Sequence, residues 1–321
     1  MSLLCHIIFL FATLWFLNLM HAIMHWVIFM KDYLAKAYAF DGKVRLYAVN
    51  TTNTVYEAQK IHGLWPTATA ALGRLLTGSI IMGAMYREGD ELTLRLMADG
   101  PLEGMVTTAD AYGNVRGYVG NPQVFLQNND TGKLNVSQAV GAGRLSVTKD
   151  LKMRNMFTSG TELQTGEIGE DLAYYFTASE QIPSAVALGE SVNQNNSLKN
   201  AGGFILQRMP GCPEETIDLI EKRLKEIPPV SMMLEDNLSP EEMIEQITKG
   251  DHKILLTMDV QYHCDCTRGK FERGLISLGE SQLKEILETD GHIETVCHFC
   301  KTKYDFNPSQ IESLIEETKK D

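Results

Sequence analysis

The rhythm of hydrophobic and polar positions changes along the chain. Residues 1–29 contain no Lys, Arg, Asp or Glu, and 23 of them are apolar. A run of this length could cross a bilayer as a helix. It lacks the basic start and small-residue cleavage site of a secretory signal. Lys31 could mark a cytoplasmic end, but one lysine is weak topological evidence. A start-site artefact, with translation beginning at Met30, is the preferred reading; a membrane anchor comes next. Association with a membrane is expected only if this extension is real.

From Tyr33 to about Met209 short alternating stretches take over. Val44 to Val49 and Leu92 to Met97 both repeat with period two, which predicts half-buried strands. Turn-rich sequence around Gly113 and Gly117 separates others. Pro66 to Met85 reads as a helix, and its Gly73, Gly78 and Gly83 suit close packing. Hairpin-like strands with interspersed helices predict an α+β body over residues 30–210, not a doubly wound parallel sheet.

Helical spacing replaces alternation between Gly211 and Gly250. Ile217, Ile220, Leu224 and Ile227 form one stripe, ended by Pro228-Pro229. A second helix has Ser239 as N-cap, Pro240 at its first position and Glu242 closing a capping box. Met243, Ile244 and Ile247 form its apolar face, and Gly250 stops it. Ten acids stand here against four bases. Neither short helix is stable without something to pack on. Residues 211–258 are therefore expected to be an acidic helical linker: an ordinary connector, or one poised to melt.

The chain has 321 residues and a formal charge of −12. That balance argues against a protein that coats nucleic acid, which needs a basic face. Gly141-Ala142-Gly143-Arg144 lacks the spacing of a nucleotide loop and reads as a turn. No nucleophile elbow or zinc-protease His pair is present, and the eight histidines are scattered. No enzyme is expected.

The cysteines carry the strongest chemical signal. Cys264-Asp265-Cys266 and Cys297-His298-Phe299-Cys300 are separated by thirty residues. Two close thiol pairs on a chain long enough to fold back suit one structural zinc ion in tetrahedral coordination. His263 and His298 flank these positions and are left outside the ligand set. Cys212 is a bystander, and Cys5 falls in the apolar extension. Helical stripes at Leu283, Ile286, Leu287 and at Ile311, Leu314, Ile315 complete a module over residues 259–321, too small to be stable without a staple. Zinc supplies on the order of 10–16 kcal/mol to such units. Bound thiolates are also the oxidisable form, so zinc release with disulfide formation is a coherent switch, although most such sites are purely structural.

Beyond the cysteines, several stretches carry a family likeness. They include Met30-Lys31-Asp32-Tyr33, Arg116-Gly117-Tyr118-Val119-Gly120-Asn121-Pro122, Gly166 to Tyr175, Ser179 to Ser184, Gly202-Gly203-Phe204 and Met209-Pro210-Gly211. With the cysteine motif, residues 30–321 resemble the redox-regulated 33 kDa heat shock chaperone family. The resemblance implies a cytoplasmic, ATP-independent holdase, inactive while reduced Cys264, Cys266, Cys297 and Cys300 hold one zinc. It implies that oxidation joins Cys264 to Cys266 and Cys297 to Cys300, releases zinc and unfolds the linker. The active form, commonly a homodimer, then captures unfolding proteins. Two other readings compete. A zinc ribbon engaging nucleic acid is disfavoured by four bases against five acids in residues 301–321. A thiol–disulfide oxidoreductase using Cys297 and Cys300 is disfavoured by the second cysteine pair and the lack of a βαβ setting.

Overall fold

A computed structural model of the chain describes residues 31–127, 133–193 and 195–319. The apolar extension, with Cys5 and Met30, lies outside the described residues. The body runs β1 (Tyr33–Ala39), β2 (Val44–Asn50), α1 (Thr52–His62), α2 (Pro66–Gly83), β3 (Glu91–Ala98), β4 (Met105–Asp110), β5 (Asn114–Val119), α3 (Val136–Val140), β6 (Gly143–Asp150), β7 (Phe157–Glu162), α4 (Gly169–Ala178), β8 (Ser184–Val192) and β9 (Leu198–Arg208). There follow α5 (Glu214–Glu226), α6 (Val230–Glu235), α7 (Pro240–Thr248), β10 (His252–Asp259), β11 (Gln261–Tyr262), α8 (Arg268–Ile276), α9 (Glu280–Thr289), β12 (Ile293–Val296), β13 (Lys303–Phe306) and α10 (Pro308–Thr318). The fold is α+β, as expected.

Two sheets enclose α2. One has the order β10-β1-β2-β9-β8, the other β11-β5-β4-β3-β6-β7. Every residue of α2 except Arg74 is buried, so it shows no amphipathic stripe and reads as apolar on all sides. Its glycines allow the close approach the sequence suggested. A Cβ on Gly78 would stand 2.6 Å from Leu172 Cδ1, and one on Gly83 would stand 2.5 Å from the Asp110 carbonyl oxygen. Among the described residues no helix is long and apolar enough to cross a membrane.

The five-stranded sheet is apolar on both faces. Leu34, Tyr47, Val49 and Ile205 point toward α2. Alternate residues Ala35, Ala37, Leu46, Ala48, Phe204 and Leu206 point the other way, onto α5, α6 and α7. Those helices cover the outer face with Ile220, Val230, Met233, Leu234, Met243, Ile244 and Ile247, all buried. Each such side chain contributes roughly 1.5–3 kcal/mol by leaving water. The Ser239–Glu242 capping box of α7 forms as read. Arg223 of α5 donates to the carbonyl oxygens of Ile247 and Thr248 at 3.2 and 2.6 Å, which closes the other end of α7.

The stretch 252–258, read as the end of the helical linker, belongs instead to strand β10, paired antiparallel with β1 from Tyr33↔Asp259 to Ala39↔His252. Its Leu255 and Leu256 are both exposed at the sheet edge. An edge strand need not alternate, so its pattern carried no period-two signal. The C-terminal part builds its own small core from Leu275, Leu283, Phe306, Ile311, Leu314 and Ile315.

Candidate metal centre

Two loops bring the cysteines together. Strand β11 lies parallel to β5 and leads directly into Cys264 and Cys266. Hairpin β12–β13 carries Cys297 and Cys300 in its turn. There the Cys297 N–H donates to the Thr302 carbonyl oxygen and the Lys301 N–H to the Cys297 carbonyl oxygen, both at 2.9 Å. Lys301 takes the left-handed conformation, φ 59°, that folds the turn back on itself.

The result is one group of four sulfurs, each within 4.8 Å of every other. Cys264 Sγ is 3.8 Å from Cys297 Sγ, and Cys266 Sγ is 3.3 Å from Cys300 Sγ. Four sulfurs about 2.3 Å from one tetrahedral ion lie about 3.8 Å apart, so the spacing suits a single metal ion. The sulfurs are too close together to surround a multi-iron cluster. His263 and His298 are exposed and outside this group. Cys212 is buried in the apolar cluster under the linker helices and lies outside this group.

Cys264, Cys266 and Cys300 are chemically unequal. Burial raises the pKa of Cys264 and of Cys266. Burial also opposes ionisation of Cys300, but hydrogen bonds with the Thr302 hydroxyl and backbone N–H, followed by those with Cys266 and Cys297, outweigh it and bring the thiol down to about 7. Tyr304 completes the wall, its Oη 3.2 Å from Cys266 Sγ.

The centre is also fastened to the body, which no sequence signal announced. The His263 N–H donates to the Val115 carbonyl oxygen at 2.8 Å. The Tyr262 hydroxyl lies 2.8 Å from the Gly117 carbonyl oxygen, 2.5 Å from that of Phe299 and 3.2 Å from His62 Nε2. Burial, followed by the nearby charge of Lys301, pushes the His62 pKa down to about 4. Arg116 pairs with Asp265, and its guanidinium lies 5.2 Å from the Phe299 ring centroid. The contacts between body and module bring together residues 145 to 200 positions apart in the chain, which is why local pattern could not find them.

Fold and centre together define a class: an α+β body whose outer sheet face is covered by short helices, joined to a small four-thiol module. The chain belongs to the Hsp33 protein family, whose model matches residues 32–307, and so is a member of a family of chaperones. It is 47% identical over 288 residues to the 33 kDa chaperonin of Bacillus subtilis (strain 168), covering 89% of this chain and 99% of that protein. It is 50% identical over 289 residues to the 33 kDa chaperonin of Bacillus cereus (strain AH187), with the same coverage. The crystal structure of the 33 kDa chaperonin (heat shock protein 33 homolog) from Thermotoga maritima superposes with a TM-score of 0.84 at 35% identity, covering 91% of this chain and 100% of that one.

Proposed function

We propose that this chain is an oxidation-activated, ATP-independent holdase of the cytoplasm. In this reading residues 30–210 form the chaperone body, 211–258 the linker and 259–321 the switch module. Reduced Cys264, Cys266, Cys297 and Cys300 hold one zinc ion, which keeps all four as thiolates and staples the module. Two equivalents of peroxide remove four electrons from the four thiolates and take up four protons, giving four waters and the disulfides Cys264–Cys266 and Cys297–Cys300. Sulfurs engaged in disulfides no longer serve as thiolate ligands, so zinc leaves and the module loses its staple.

The observation that carries the proposal is the apolar outer face of the five-stranded sheet. Among the described residues it is covered by short helices whose own sequence cannot hold them folded in isolation. Strand β10 connects those helices to the cysteine loops. Once the linker detaches, Ala35, Ala37, Leu46, Ala48, Phe204 and Leu206 face water. A face of that kind binds non-native polypeptides, or a second copy of the chain. Zinc content and suppression of client aggregation, measured before and after peroxide, test the reading. Zinc loss accompanied by a gain in suppression is expected; retained zinc with no gain would overturn it.

A further inference from the structure

Strand β5 presents Arg116 and Tyr118 on one face, two positions apart. Arg116 reaches both cysteine loops at once. Its Nη1 pairs with Asp265, the residue between Cys264 and Cys266. Its guanidinium lies over Phe299, the residue that with His298 separates Cys297 from Cys300. Its Nη2 is 3.5 Å from Glu91 on β3, which orients the fork from the body side. The side chain is only 17% exposed, and its Nε is buried with no hydrogen-bond partner among the described residues. Tyr118 adds ring contacts to His298 and Phe299, with centroids 5.4 and 5.3 Å away.

We infer that Arg116 is a positioning residue for the four-sulfur centre: by gripping Asp265 and Phe299 together it holds the two cysteine loops face to face and ties them to the body. The inference rests on the reading of these cysteines as a metal site. A planar fork that both pairs with a carboxylate and stacks on a ring fixes direction as well as distance, which a lysine cannot do. The same grip secures the segment leading back to the linker. Between Asp259 and Cys264 the chain is held by Val260 N–H on the Asp32 carbonyl oxygen at 3.1 Å, Gln261 N–H on that of Gly113 at 3.0 Å and His263 N–H on that of Val115 at 2.8 Å. Pulling one sulfur of the Cys264-Asp265-Cys266 loop onto the other would turn Asp265 away from Arg116 and release this docking.

The test uses the full-length, reduced, zinc-loaded protein. Transfer of zinc to a chromogenic chelator and amide hydrogen exchange over residues 252–263 are measured for Arg116→Ala, Asp265→Asn and the double variant. Residues that orient metal ligands from outside the coordination sphere typically change metal affinity roughly 10–100-fold. Each single variant is therefore expected to speed zinc transfer about tenfold and raise exchange over 252–263, and the double variant is expected to do no more than the stronger single one. Arg116→Lys should fall between wild type and Arg116→Ala. Rates within twofold of wild type, or effects that multiply in the double variant, overturn the inference. Asp265→Asn reports from the module side should Arg116→Ala perturb the body, and because it also removes the 2.7 Å contact with Lys270 Nζ, Lys270→Ala measures that second contribution separately. Wild-type protein that binds no zinc would refute the metal reading, while the exchange measurement would still report on the grip.

Discussion

Gly189 of β8 and Ser231 of α6 meet so closely that a Cβ on the glycine would stand 2.8 Å from the serine backbone nitrogen and 3.0 Å from Val230 Cβ. A side chain there forces either the strand or the helix to move, and α6, one short turn on the surface, is the weaker partner. Gly189→Ala is expected to cost about 1–3 kcal/mol in linker docking. Reduced protein should then bind an apolar dye, with hydrogen exchange in β1 and β2 unchanged. Dye binding at the wild-type level would show that α6 is not seated through this contact.

The capping box of α7 offers a milder perturbation. Ser239 Oγ accepts from the Glu242 N–H at 3.2 Å while Glu242 Oε2 accepts from the Ser239 N–H at 2.7 Å. Ser239→Ala should weaken α7 by about 1 kcal/mol. Faster amide exchange across 240–248, with no change in the C-terminal module, is the expected signature.

Inside the body, Arg74 grips Glu190 through Nε and Nη2 and also pairs with Glu167. Glu190 is only 4% exposed. Burial raises its pKa, and the Arg74 charge opposes that rise. Arg74→Ala leaves a buried carboxylate without its cation and should cost about 3–5 kcal/mol by urea denaturation. Adding Glu190→Gln should recover much of the loss. A double variant as unstable as Arg74→Ala would assign the cost to packing rather than charge.

His62 supplies a pH dependence. Its folded pKa, about 4, lies below the ordinary histidine value, so the unfolded chain binds its proton more tightly. Its contribution to stability is therefore present above about pH 6.5 and is lost as pH falls toward 4. Ring titration by NMR should show a midpoint well under 6.5. His62→Gln, whose amide can donate or accept toward the Tyr262 hydroxyl, should flatten the stability profile in that window.

On the reading of the four cysteines as a metal site, removal of the ion is the most drastic perturbation expected. The C-terminal core holds six buried apolar side chains, too few for a unit of this size to be stable alone. Chelation under reducing conditions, or Cys297→Ser, should abolish exchange protection in α9 and α10 while β1, β2 and β9 keep theirs. Protection surviving in α9 and α10 would show that the module needs no staple.

How much of this was legible in the sequence depended on how local the cause was. The capping box at Ser239, the glycine-studded helix beginning at Pro66 and the stripes of α9 and α10 came from spacing of neighbours, because caps and helical faces are set by residues three or four apart. The paired cysteines were visible because both loops keep their thiols adjacent in sequence. Strand β10 was missed, since its place is decided by β1, more than two hundred residues earlier. Arg116, Tyr118 and His62 stood out for no local reason either: what makes them part of the centre is the docking of β11 on β5. The sequence by itself determined which segments could form and which atoms could bind a metal. Only the tertiary structure decided that the four sulfurs close within 4.8 Å, and that one sheet has an apolar face covered by helices too short to be stable apart from it, because burial and approach across long stretches of chain are properties of packing and not of any local pattern.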